Sequence, residues 1–155
     1  NACFHWINDH RSLFDHLLPQ LAEDGVLAFQ VAANHTEPSH TLLHRLCSSP
    51  RWRDRLDGLP TTGVREPQWY IDELGNRGLE VSAWQTTYFH LLDGDNPVLE
   101  WVRGTTLGPI LERLPEAERD NFLEEYGALL REAYPARGGR TVFPFKRTFV
   151  IAVKA

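Results

Sequence analysis

The sequence has no methionine, not even at its first position, where Asn1 stands. A chain of that kind reads as processed, truncated or partial. Cysteine is scarce. Cys3 and Cys47 are the only two, too few for a disulfide framework, so a reducing cytoplasm is the expected setting. There is no run of 18 apolar residues and no basic-then-apolar opening, so neither a membrane span nor a signal segment is expected. The phosphate-binding pattern G-x-G-x-x-G is missing too, and the one glycine pair, Gly138-Gly139, follows a helical stretch rather than a strand. Acidic residues stop at Glu132, so residues 133–155 carry +5 while residues 1–132 carry −10, for a net charge of −5. An acidic chain with one basic stretch is not built to bind nucleic acid. That stretch can gather a small anion, or it can be a solvated basic edge.

What is present fits one compact domain. The chain has 155 residues, 42% of them hydrophobic, enough for a real core. Leu13, Phe14, Leu17, Leu18 and Leu21 recur at helical spacing after Asp9, the expected N-cap, with Gly25 expected just past the helix end. Residues 26–32 are short, apolar and β-rich, as in a buried strand. A short helix is expected over 39–46, and an irregular or weakly helical connection over 50–63. Pro67 suits the first turn of a helix over 68–77 closed by Gly78. Residues 79–91 read as a long strand, with Trp84, Thr86, Tyr88 and His90 on one face. Helices are expected over 98–103, stopped near Gly104, and from Pro115 onward, with Phe122, Leu123, Tyr126, Leu130 and Tyr134 on one side. A strand is expected over 141–153. Strands alternating with helices argue for a parallel α/β sheet, and three strands look like an incomplete one.

Several short stretches, taken in order, resemble the trans-aconitate methyltransferase family of class I S-adenosylmethionine-dependent methyltransferases. They are Asn1-Ala-Cys-Phe-His-Trp6, Ala28-Phe-Gln-Val-Ala-Ala-Asn34, Glu37-Pro-Ser-His40 and Thr86-Thr-Tyr-Phe-His90. Pro97-Val-Leu-Glu-Trp-Val-Arg-Gly-Thr105 is the most specific. Phe122-Leu-Glu-Glu-Tyr126, Arg131-Glu-Ala-Tyr-Pro135 and Phe143-Pro-Phe-Lys-Arg147 complete the series. Ala33 departs from the family, where Pro or Gly would precede Asn34. The larger departure is the absence of the first three strands, which in the family carry the glycine-rich loop and the acidic residue that holds the ribose.

The resemblance implies an α/β fold. Residues 1–155 would be the carboxyl-terminal part of one Rossmann-like methyltransferase domain, with the amino-terminal cofactor-binding half absent. The chain would hold strands five, six and seven of a seven-stranded sheet and the exit of strand four. The last strand would be antiparallel and lie between the other two, with a helical cap, about residues 95–136, inserted before it. Ligands of open α/β sheets sit beyond the carboxyl ends of the strands. The strand exits and the start of the reversed last strand are therefore expected to converge on one cleft.

The activity implied is S-adenosylmethionine-dependent O-methylation of a carboxylate on a small polycarboxylate, trans-aconitate giving its monomethyl ester. Alternatives are a related enzyme for another small acid or an acyl-carrier-bound dicarboxylate, and a non-catalytic truncated fragment. A carboxylate is already ionised at neutral pH, so no general base is expected among the catalytic residues. Alignment, water exclusion and capture of the other carboxylates matter instead. Arginine suits the capture, since its planar fork binds carboxylates bidentately. Arg147 and Arg103 are the leading candidates. The plainer readings are an exposed strand residue for Arg147 and a surface ion pair with Glu100 for Arg103.

Tyr88, His90 and Trp101 are candidates to wall the pocket, though aromatics at such spacing also build cores. Gln30 and Asn34 are candidates to orient a carboxylate, or else to cap a turn. Asn1, Ala2, His5 and Trp6 are expected beside the cofactor, or Trp6 only packs under the first helix. His40-x-x-x-His44, with His35 near, has metal-pair spacing but lacks a H-E-x-x-H frame, so no metal is expected. Cys3 and His5 lack a third orienting group for nucleophilic catalysis. The expected partner is a small anionic polycarboxylate, not nucleic acid or membrane, with self-association possible through an exposed sheet edge.

Overall fold

The computed structural model describes residues 3–56, 58 and 62–154. Three strands, β1 (Val26–Ala32), β2 (Leu79–Asp93) and β3 (Arg140–Lys154), form one antiparallel sheet in the order β1-β3-β2. The register of β1 on β3 runs from Val26 opposite Val153 to Ala32 opposite Arg147. The parallel sheet expected from the strand–helix alternation is thus corrected, while the antiparallel last strand lying between the other two is the arrangement that the resemblance implied. β1 and β2 do not touch, because β3 runs back between them and supplies both ladders. Seven helices accompany the sheet among the described residues: α1 (His10–Leu17), α2 (Pro38–Cys47), α3 (Arg53–Leu56), α4 (Pro67–Gly75), α5 (Pro97–Arg103), α6 (Gly108–Arg113) and α7 (Glu116–Ala133). None of them is long and apolar enough to cross a membrane.

Asp9 caps α1 as its sequence position implies, its carboxylate accepting from the Arg11 and Ser12 amides. The helix ends at Leu17, not before Gly25, because Pro19 follows and the chain tightens into a 3-10 turn, Leu18–Gln20. Gly25 instead precedes β1, where its carbonyl accepts from the Lys154 amide. The α6 helix was not anticipated; it is only six residues long and opens on Gly108-Pro109.

The chain divides into two compact units. The first comprises Asn1–Asn34, Pro60–Tyr88 and Phe145–Ala155. Its core is one apolar cluster in which Phe29 and Val31 of β1 and Val150 and Ala152 of β3 meet Phe14 of α1 and Tyr70 and Leu74 of α4. Burying each large side chain contributes about 1.5–3 kcal/mol. One polar chain threads it. The Arg65 amide donates to the Tyr70 hydroxyl (3.3 Å), which lies 2.9 Å from His10 Nδ1, while His10 Nε2 lies 2.9 Å from the Phe4 carbonyl. A neutral His10 protonated on Nε2 satisfies every bond. Burial holds its pKa below the usual value.

The second unit comprises His35–Leu59 and Phe89–Pro144. Here α7 presents Phe122, Tyr126 and Leu130 inward. The Tyr134 hydroxyl accepts from the Ser39 amide (3.0 Å), and the Tyr126 hydroxyl donates to the Ser39 carbonyl. These two bonds fix the first turn of α2, whose amide ends have no helical partner. Trp52 stands edge-on to Phe122 and donates to Glu125 (2.8 Å).

Candidate functional site

In the first unit the end of β1 and the middle of β3 gather four of the residues picked from sequence. Asn34 follows β1, and its Oδ1 accepts from the Lys146 amide at 2.6 Å. The Ala33 amide in turn donates to the Lys146 carbonyl at 2.9 Å. The Asn34 side chain therefore continues the ladder by one rung. That donor fixes which way the carboxamide faces, and its Nδ2 is left buried with no acceptor among the described residues.

Gln30 and Arg147 are diagonal neighbours on one sheet face, Gln30 lying opposite Phe149 and Arg147 opposite Ala32. Arg147 Nη1 donates to Gln30 Oε1 at 2.9 Å, and the guanidinium lies 5.1 Å from the centroid of the Phe145 ring. His5 belongs to the 3-10 turn Phe4–Trp6. Burial, and then the Arg147 charge, hold its pKa below the ordinary value, so the ring is neutral around pH 7. Its Nδ1 is buried without a partner among the described residues. Trp6 lies beside His5, ring centroids 4.8 Å apart, and is 67% exposed rather than packed under α1. Asn1 and Ala2 lie outside the described residues.

Arg147 differs from most arginines of the chain. Among the described residues, eight others lie within ion-pair distance of a carboxylate. Half-buried Arg147 has a neutral amide and an aromatic ring instead, and no carboxylate partner among the described residues. A partly desolvated cation without a counter-charge is poised to take an anion.

The second unit holds another group. His90 and Trp101 rings lie 4.8 Å apart, and Trp101 meets Phe143 edge-on at 5.6 Å. Arg103, 47% exposed along its side chain, stands 3.8 Å from Glu100, the surface pair that the sequence also allowed. Tyr88, half-exposed, is the residue at which β2 leaves the first unit. His40 is held neutral by burial and by His35 and His44, its pKa pushed down to about 4. Among the described residues no three histidine, cysteine or acidic side chains gather as metal ligands.

Over nearly its whole length the chain matches curated proteins named trans-aconitate 2-methyltransferase. It is 46% identical over 158 residues to that of Streptomyces coelicolor, 45% over 156 to that of Streptomyces avermitilis and 44% over 156 to that of Rhodococcus jostii. The chain is a homologue of these enzymes. The matches take in 98–99% of this chain but 52%, 58% and 61% of the respective relatives, so the chain spans little more than half their length. No protein-family profile matches it.

With trans-aconitate 2-methyltransferases as relatives, Phe145 stands out as the contact that sequence reasoning missed. It lies in the quoted Phe143-Pro-Phe-Lys-Arg147 stretch, two residues before Arg147. That period-two spacing in a strand is the signal that would have placed both on one face.

Proposed function

We propose that this chain is the carboxyl-terminal, substrate-side part of an S-adenosylmethionine-dependent carboxyl O-methyltransferase acting on trans-aconitate in the cytoplasm. In this reading β1, β2 and β3 are strands five, six and seven of a class I methyltransferase sheet, and α5–α7 are the insertion between the last two. The similarity along 98–99% of the chain and the strand order β1-β3-β2 support it. The observation that carries the substrate class is Arg147, a half-buried cation balanced by no described carboxylate.

The chemistry asks little proton transfer of the protein. A substrate carboxylate is ionised at neutral pH and is itself the nucleophile, so the protein's task is to hold it still and dry. Arg147 takes a non-reacting carboxylate. Asn34, bonded through Oδ1 to the Lys146 amide, holds the main chain next to Arg147 in place. His5, kept neutral, adds no competing charge beside the guanidinium. S-adenosylmethionine, when bound, supplies the methyl group from its sulfonium. The exposed Trp6 ring fits its methionine part, with His5, Asn1 and Ala2 adjoining in sequence.

Kinetics of the full-length enzyme test this. Arg147→Ala removes a charge-assisted contact and is expected to lower kcat/KM for trans-aconitate by about 2–4 kcal/mol, roughly 30- to 1000-fold. Lysine restores part of it, keeping the charge without the fork. Lys146→Ala is the control, because its side chain alternates to the other sheet face and its ladder bonds are main-chain. Normal kcat/KM in Arg147→Ala would remove the anchor from this reading.

A further inference from the structure

We infer that Gln30 is a positioning residue for Arg147: its carboxamide, with the Phe145 ring, sets the direction in which the guanidinium meets a substrate carboxylate. This rests on the reading of Arg147 as the anchor and adds how that anchor is aimed.

Three features of the sheet carry the inference. Ala32 is the residue directly opposite Arg147, and its methyl group leaves room for the long side chain to lean diagonally toward Gln30. Gln30 is itself 9% exposed, so its carboxamide is a fixed acceptor rather than a mobile surface group. Phe145, on the same face of β3, puts its ring 5.1 Å from the guanidinium carbon. The arginine is therefore held at one nitrogen, Nη1, and from one side by a ring.

The Nε and Nη2 edge, the side-on edge of the fork, has no acceptor among the described residues. Two parallel N–H groups on that edge match the two oxygens of a carboxylate. The choice of an amide matters as much as its place. A glutamate at residue 30 would orient the guanidinium equally well but would also neutralise it. Glutamine orients and leaves the charge for the ligand.

A double-mutant cycle in the full-length enzyme tests this, read by KM, kcat, a calorimetric Kd for trans-aconitate and the melting temperature. Gln30→Met, close in shape but without the acceptor, is expected to raise KM about tenfold with kcat and melting temperature near the parent. Gln30→Glu is expected to raise KM and Kd about thirtyfold or more without lowering the melting temperature, since it ties the guanidinium into an ion pair. In an Arg147→Ala background, Gln30→Met is expected to have no further effect, because Gln30 acts through Arg147. If the two substitutions instead multiply, Gln30 touches substrate directly and the inference is overturned. Gln30 variants with parental KM and Kd, beside an impaired Arg147→Ala, overturn the inference and leave the anchor standing. An unimpaired Arg147→Ala overturns both.

Discussion

His40 is an ionisable ring kept neutral inside the second unit. Burial is the main cause, with His35 and His44 adding to it and Glu37 opposing, and the pKa falls from 6.5 to about 4. The unfolded chain therefore binds a proton near pH 6.5 that the folded chain refuses until about pH 4. The stability tied to this site is fully present above pH 6.5 and is lost as pH falls toward 4. Solvent reaching part of the ring limits the loss to on the order of 1–2 kcal/mol. Urea melts at pH 7 and pH 4.5 are expected to show a smaller drop for His40→Gln than for the parent by that amount. Equal drops would mean His40 titrates normally. His10 adds slope of the same sign in both proteins, since burial depresses it too. Little of this was legible in sequence: His40 and His44 have the spacing of a metal pair without the frame of one, and only packing shows that the ring is desolvated. Asp9 is the opposite case, legible because a cap acts on residues two and three positions away.

Elements were legible where their signals are local. All three strands lie where β-rich runs placed them, and prolines mark the starts of α2, α4 and α5. The antiparallel ladder was not legible from alternation, because β3 pairs with a strand over a hundred residues earlier in sequence. The Gln30–Arg147 bond, with a separation of 117 residues, was hidden for the same reason. Close approach between segments is equally invisible beforehand. At Gly63 a Cβ atom would stand 2.6 Å from the Asn8 carbonyl oxygen and against that of Ile7. Both are main-chain atoms that cannot swing away. Gly63→Ala is expected to lower unfolding free energy by about 2–3 kcal/mol, the upper range for overpacking. Denaturant titration checks it, and a change below about 0.5 kcal/mol would mean the segment simply shifts.

At the scale of the whole molecule, β1 forms one margin of the sheet and pairs on its other side with no strand among the described residues. Val26 at its start is 55% exposed. An apolar edge of this kind is a template for another chain. Residues 1–155 prepared alone are expected to sediment as dimers or larger species, and Val26→Lys to shift them toward monomer. A monomer at every concentration would show that the edge is inert.

The order in which the strands are made has its own consequence. The middle strand of the sheet comes last in the sequence, so a ribosome delivers β1 and β2 long before the segment that joins them. Until Lys154 has left the exit tunnel, neither has the partner that the finished sheet gives it. Closing a pairing across more than a hundred residues is slow. For that interval during synthesis both strands lack the ladder that β3 supplies. A nascent chain stalled before β3 is therefore a ready client for a chaperone, and the sheet forms only once synthesis has passed residue 154.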